Sequence, residues 1–189
     1  MSISPISNQK VISLAIAASM VLPMVVAIQT FRAEAVSAKT ATAKLTDAKK
    51  QAIGTVKFTE TPQGLQVTVE VKGLNPGEHA IHIHEVGKCE PPNFLSAGEH
   101  FDPLKSSNSA QKKPGKKPAG DLPDLKVKSD GTGSLTALLP SLTLGTDRNS
   151  LLKPGGTAVL VHAGANGKTT IPGVDAKARI ACGVVTQSN

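Results

Sequence analysis

The amino-acid sequence predicts an all-β domain: a sandwich or barrel of eight short strands behind an export leader. Three observations point there. Apolar or alternating runs recur along the chain, and none extends into a long segment of 3.6-residue period. Turn chemistry separates the runs, drawing on 17 Gly and 13 Pro in 189 residues. The apolar complement is mainly Val, Ile, Leu and Ala. Trp and Tyr do not occur and Phe occurs four times, which suits small pleated surfaces.

In chain order, residues 1–38 form the leader. Lys10 precedes an apolar run over 11–28, interrupted by Ser13, Ser19 and Pro23, and the small residues Ala33, Ala35 and Ala38 follow. That order reads as a secretory signal cut after Ala35 or Ala38. The alternative is an uncleaved anchor, because the run approaches the ~20 residues that span a bilayer. Either way the domain is expected outside the cytoplasm, in a periplasm, lumen or extracellular space, with membrane attachment only if the leader stays. Residues 39–41 read as a linker and 42–187 as the domain. Strands are expected at 42–45, 53–59, 65–71, 80–86, 125–128, 133–139, 157–161 and 178–185. The turns between them include Thr61-Pro62-Gln63-Gly64, Asn75-Pro76-Gly77, Ser129-Asp130-Gly131 and Lys153-Pro154-Gly155-Gly156. Two stretches, 87–124 and 163–177, read as irregular. Loops that long in a compact domain are usually functional or disordered.

The formal net charge is +7, and removal of the leader with Lys10, Arg32 and Glu34 lowers it by one. A basic balance can indicate a nucleic-acid partner. Here the domain offers only Phe58, Phe94 and Phe101 for stacking, so no nucleic-acid partner is expected. The two cysteines, Cys89 and Cys182, lie far apart in an exported chain. That favours one disulfide over two buried thiols.

Chemistry concentrates in the histidines, of which there are five: His79, His82, His84, His100 and His162. His82 and His84 are two apart in an expected strand, so they share a face, whereas His79 has the opposite parity. A His-x-His pair on a strand is a common metal half-site, and equally a pair of hydrogen-bonded histidines.

The pair belongs to a longer string: H-I-H-E-V-G from His82, then Cys89, S-A-G-E-H-F-D-P around His100, G-D-L at Asp121, V-L-V-H-A at His162 and A-R-I-A-C-G-V through Cys182. In order and spacing this string resembles the copper/zinc superoxide dismutases over roughly residues 40–186. The resemblance implies an eight-stranded Greek-key β-barrel with two long functional loops. It implies copper as cofactor and the superoxide anion as substrate, and it leaves monomer and homodimer both open. Carried over position by position, His82, His84, His100 and His162 would be copper ligands, with His100 also the bridging and proton-carrying histidine. Arg179 would dock the anion, Cys89 and Cys182 would form the family disulfide, and His79 would be structural. Imidazole donors suit copper, and a planar, permanently charged guanidinium suits a small anion. The runner-up expectation is a copper store of the same fold, for which Arg179 would have no use.

The chain departs from the family on the zinc side. Pro118 stands where a zinc histidine is expected, and no histidine lies between His100 and His162. Asp121 keeps the zinc aspartate position, but one Asp and a shared His cannot complete a closed four-coordinate site. Lys112, Lys113, Lys116 and Lys117 crowd the same stretch and read as a solvated loop. Asn166 replaces the Asp that links the two metal sites in the family. Zinc is therefore not expected.

Overall fold

The computed structural model describes residues 38–103 and 117–188. The leader up to residue 37 and the lysines Lys112, Lys113 and Lys116 lie outside the described residues.

Eight staves make the barrel, as the sequence leads one to expect. The strands are β1 (Thr40–Asp47), β2 (Ala52–Thr61), β3 (Gly64–Val71), β4 (Gly77–His79), β5 (Ile81–His84), β6 (Leu125–Val127), β7 (Gly133–Leu139), β8 (Ala158–His162), β9 (Gly164–Ala165), β10 (Lys168–Thr169) and β11 (Arg179–Gln187). One antiparallel sheet runs in the order β4-β6-β7-β3-β2-β1-β11-β8-β5. Only Ala80 separates β4 from β5, so the two ends of that order are one interrupted strand and the sheet closes on itself. Closure removes free edges, which an all-β protein must otherwise protect. The connections from β3 to β4 and from β7 to β8 cross over, giving the Greek-key order.

Period-two alternation decides which side chains fill the interior. Leu65, Val67, Val69 and Val71 of β3 point inwards and are buried, while Gln66 and Glu70 between them are exposed. In β5, Ile81 and Ile83 join this core, which turns His82 and His84 to the outer face. The metal-binding candidates therefore sit on the barrel wall, under the loops.

What is described of the stretch 87–124, residues 87–103 and 117–124, covers that wall. It carries a short 3-10 turn at Leu95–Ala97. Phe94, Ala97 and Cys182 bury a second apolar cluster against Ala158 and Leu160 of β8. That is why β8 is buried on both faces and reads as one continuous apolar run. The loop also hydrogen-bonds along β5: Phe101 N donates to Ile83 O at 2.8 Å and Ile83 N donates to Gly120 O at 2.9 Å. A Cβ at Gly120 would fall 2.7 Å from Ile83 O, so only glycine permits this approach.

The stretch 163–177 corrects one expectation. It contains a small hairpin, β9 with β10, whose turn is Asn166-Gly167 at φ 51° and 73°. Positive φ at both central residues is the twist-compatible two-residue turn that Asn-Gly favours.

Candidate metal centre

Four histidines converge, drawn from two strands and one loop. His82 and His84 come from β5, His162 from the end of β8, and His100 from the loop, where its backbone bridges to that of His84. One donor atom from each lies within 4.8 Å of the other three. His79 stays outside the group. It is fully buried, with its ring nitrogens 2.8 Å from the carbonyl oxygens of His162 and Asn75, and so braces β4 against the end of β8.

The second ring nitrogens show how the cluster is aimed. His84 Nδ1 donates to Gly98 O at 2.9 Å, and His162 Nδ1 donates to Lys177 O at 2.8 Å. His100 Nδ1 donates to Asp121 Oδ1 at 2.7 Å. Each bond assigns the tautomer and leaves the opposite nitrogen, Nε2, as a lone-pair donor. His84 Nε2, His162 Nε2 and His82 Nδ1 are buried and have no hydrogen-bond partner. Three orphaned, converging imidazole nitrogens are costly in a folded protein unless something takes their lone pairs. A soft-to-borderline cation does so, and an all-imidazole donor set suits copper.

Burial sets the protonation state. It is the largest cause that lowers the pKa of His82 to about 3, followed by the positive charge that the other histidines and Lys117 would add. His84 is lowered to about 4, chiefly by burial, against the raising effect of its bond to Gly98 O. His162 is also lowered, again mainly by burial. These rings are neutral at pH 7 and need shed no proton to bind a metal.

Arg179, at the start of β11, is in register with His162. Its NH1 donates to Phe94 O and its NH2 to Gly98 O, both at 2.9 Å. The guanidinium thus ties the loop to the barrel with two of its five N–H donors. It lies close enough for its charge to depress the pKa of both His84 and His162. Cys89 and Cys182 form a disulfide with a Cα–Cα distance of 5.6 Å across a sequence separation of 93, tying the same loop to β11.

Two contacts went unread in the sequence. Asp121, placed there only as a residual zinc position, is the hydrogen-bond partner of His100, and its backbone bridges to His82. Asn166 Nδ2 donates to Asp124 Oδ2 at 2.9 Å, joining the β9–β10 turn to the segment after Asp121. The carbonyls of Gly98 and Lys177 could not have been found, because a backbone acceptor leaves no mark in residue identity. The Asn166-Gly167 dipeptide was the available signal for the hairpin.

Comparison with known proteins agrees with this geometry. Residues 52–185 match the family model described as copper/zinc superoxide dismutase (SODC). The chain is 39% identical over 145 residues to "Superoxide dismutase [Cu-Zn] 1" of Aquifex aeolicus, covering 76% of this chain and 85% of that protein. It is 38% identical over 148 residues to "Superoxide dismutase [Cu-Zn]" of Caulobacter vibrioides, covering 77% and 84%. Among solved structures, a SOD-like protein from Bacillus subtilis superposes with a TM-score of 0.64 at 31% identity, covering 76% of this chain and 96% of that one. The Cu/Zn superoxide dismutase from Brucella abortus superposes with a TM-score of 0.56 at 28% identity, covering 77% and 98%. The chain belongs to the copper/zinc superoxide dismutase family.

Proposed function

We propose that this protein is an exported superoxide dismutase that uses copper held by His82, His84, His100 and His162 and works without zinc. The observation that carries the reading is the set of buried imidazole nitrogens, His82 Nδ1, His84 Nε2 and His162 Nε2, converging with His100 and lacking any other partner. His82, His84, His100 and His162 would hold the copper, which when bound would supply one-electron redox chemistry for dismutation.

The chain's own residues do the rest. His84 and His162 are held in one tautomer by backbone carbonyls, so their donor atoms are preorganised. His100 has its Nδ1 proton committed to Asp121 and carries a second, exchangeable proton at Nε2 when that nitrogen is free. Arg179 keeps N–H donors beyond the two used on the loop and presents them to the anion.

The zinc-free part of the reading rests on the donor set: Pro118 stands at a zinc-histidine position, and the sequence has no histidine between His100 and His162 to complete a closed site with Asp121. Asp121 accepts the Nδ1–H of His100 and holds that ring in place on the loop. A copper store is the weaker alternative, since it has no use for the N–H donors that Arg179 keeps beyond the two spent on the loop. The disulfide and the leader of residues 1–38 support an extracytoplasmic location. A direct test strips the purified protein of metal, restores copper alone, and follows superoxide consumption. Recovery of activity by copper without zinc is expected, and recovery only when both are added refutes the reading.

A further inference from the structure

We propose that Lys153 is a positioning residue of the metal centre: it reaches across from the β7–β8 connection and clamps together the two backbone runs that carry His84 and His100. The inference rests on the dismutase reading and adds to it a residue outside both long loops.

Backbone pairing sets His84 beside His100. Phe101 N donates to Ile83 O at 2.8 Å and Glu85 N to Glu99 O at 2.9 Å, with the two histidines paired between them. The pairing reaches its end at Glu85, where the chain has already left β5. A run this short is weakly held unless something packs on it.

Lys153 closes that end. Its Nζ donates to Glu85 O, the carbonyl next after His84, at 2.7 Å. The same Nζ lies 5.7 Å from the centre of the Phe101 ring, next after His100. Phe101 is buried in the main core, so its ring is a fixed partner. An ammonium within about 6 Å of an aromatic centre is attracted to the ring face, and a charged donor strengthens its bond to a carbonyl. One cation therefore grips the residue that follows each of two ligands. Among the described residues it forms no ion pair that would draw it elsewhere.

The base of this side chain is fixed as well. Leu151 is fully buried, and Thr157 Oγ1 donates to Leu151 O at 2.8 Å, closing the segment that holds Lys153. Within it Gly156 N donates to Lys153 O, and Gly87 N reaches in to Gly155 O, both at 2.8 Å. A Cβ at Gly87 would fall 2.9 Å from Gly155 O, so this approach requires glycine. Ordering a long side chain costs rotamer freedom. Here the backbone is already held and the tip meets two partners, which a merely solvated lysine would not.

The test compares copper-loaded wild type with Lys153→Met, which keeps the stem and removes the charged donor, and with Lys153→Arg, which restores one. It reads the Cu(II) electron paramagnetic resonance spectrum, the rate of copper loss to a chelator, and superoxide turnover. Lys153→Met is expected to shift the spectrum, speed copper loss and slow turnover by about two- to fivefold, less than the loss of a direct hydrogen-bond partner of a ligand. Lys153→Arg should return all three towards wild type. Lys57→Met, at an exposed position of β2, is the control and should change nothing. Wild-type spectrum and copper loss in Lys153→Met would overturn the inference even if its melting temperature fell, because Lys153 would then brace the barrel alone. A shifted spectrum that Lys153→Arg restores, without turnover even in the wild type, would keep the positioning role and remove the dismutase reading beneath it. A wild type that retains no copper would overturn both.

Discussion

The strand-borne and the loop-borne halves of the centre are built differently. His82, His84 and His162 take their positions from barrel register: His82 pairs with Leu160, His84 with Ala158, and His162 with Arg179. Their places follow from closing the sheet. His100 and Asp121 sit on a loop that the sheet does not order by itself. Besides its backbone bonds to β5, the loop is held by separate tethers: the disulfide, the Arg179 bonds to Phe94 O and Gly98 O, the Phe94 cluster, and the Asp121–His100 pair. A metal can be gripped by a rigid wall while the moving proton is handled by a tethered flap. Within the flap, the Asp121 carboxylate accepts the Nδ1–H of His100.

That contrast can be broken at either half, and the wall should hurt most. His162→Ala removes one of the buried donors and is expected to abolish copper retention and dismutation while the disulfide-linked barrel still folds. Copper stoichiometry and activity on the same sample check this; a fully active variant would remove His162 from the ligand set. On the flap, reduction of Cys89–Cys182 or Cys89→Ser should be the largest stability effect. A closed loop of this length stabilises by about 4–5 kcal/mol on the chain-entropy model. It should also release the carbonyls that hold Arg179 and His84, so activity should fall before the barrel melts. Coincident loss of activity and barrel structure would show instead that flap and wall are one unit.

Arg179→Glu tests the flap's electrostatic part. Superoxide capture should drop by at least about tenfold at low salt with copper still bound, because the substituted charge repels the substrate that the guanidinium attracts. An unchanged rate, or a rate in the wild type indifferent to ionic strength, would exclude the guanidinium from capture.

A smaller effect belongs to the wall without metal. The native pKa values of His82 and His84, about 3 and about 4, lie below the ordinary 6.5 that the unfolded chain would show. Between those limits the unfolded chain binds more protons, so stability rises with pH there. The neutral histidines' contribution is fully present above pH 6.5 and is lost as pH falls towards 3. Urea midpoints of the metal-free protein should therefore decline on acidification from pH 7 to 4, and a flat profile would contradict the burial argument.

How much of this could be read in the sequence follows the same division. All eight staves have counterparts among the expected strands, because alternation such as Leu65–Val67–Val69 records burial on one face. Boundaries moved where turns and strand interruption intervened: the strand expected over 80–86 begins at Gly77, breaks at Ala80 and ends at His84. His82 and His84 could be paired by parity alone. The gathering of His100 and His162 beside them required the resemblance, since neither is near the pair in sequence. The β9–β10 hairpin escaped because two-residue strands carry no periodicity, although Asn166-Gly167 marked the turn. Asp121's hold on His100 and the two carbonyls under Arg179 were illegible, because they arise only when the loop is laid against β5 and β11.

We propose a copper-only centre in which His100 is partnered by the Asp121 carboxylate. It meets its most direct test in metal content after reconstitution with copper and zinc both in excess. One copper per chain with no stoichiometric zinc is the expected result. One zinc per chain, lost on Asp121→Ala, would contradict the claim and return Asp121 to a metal-binding role.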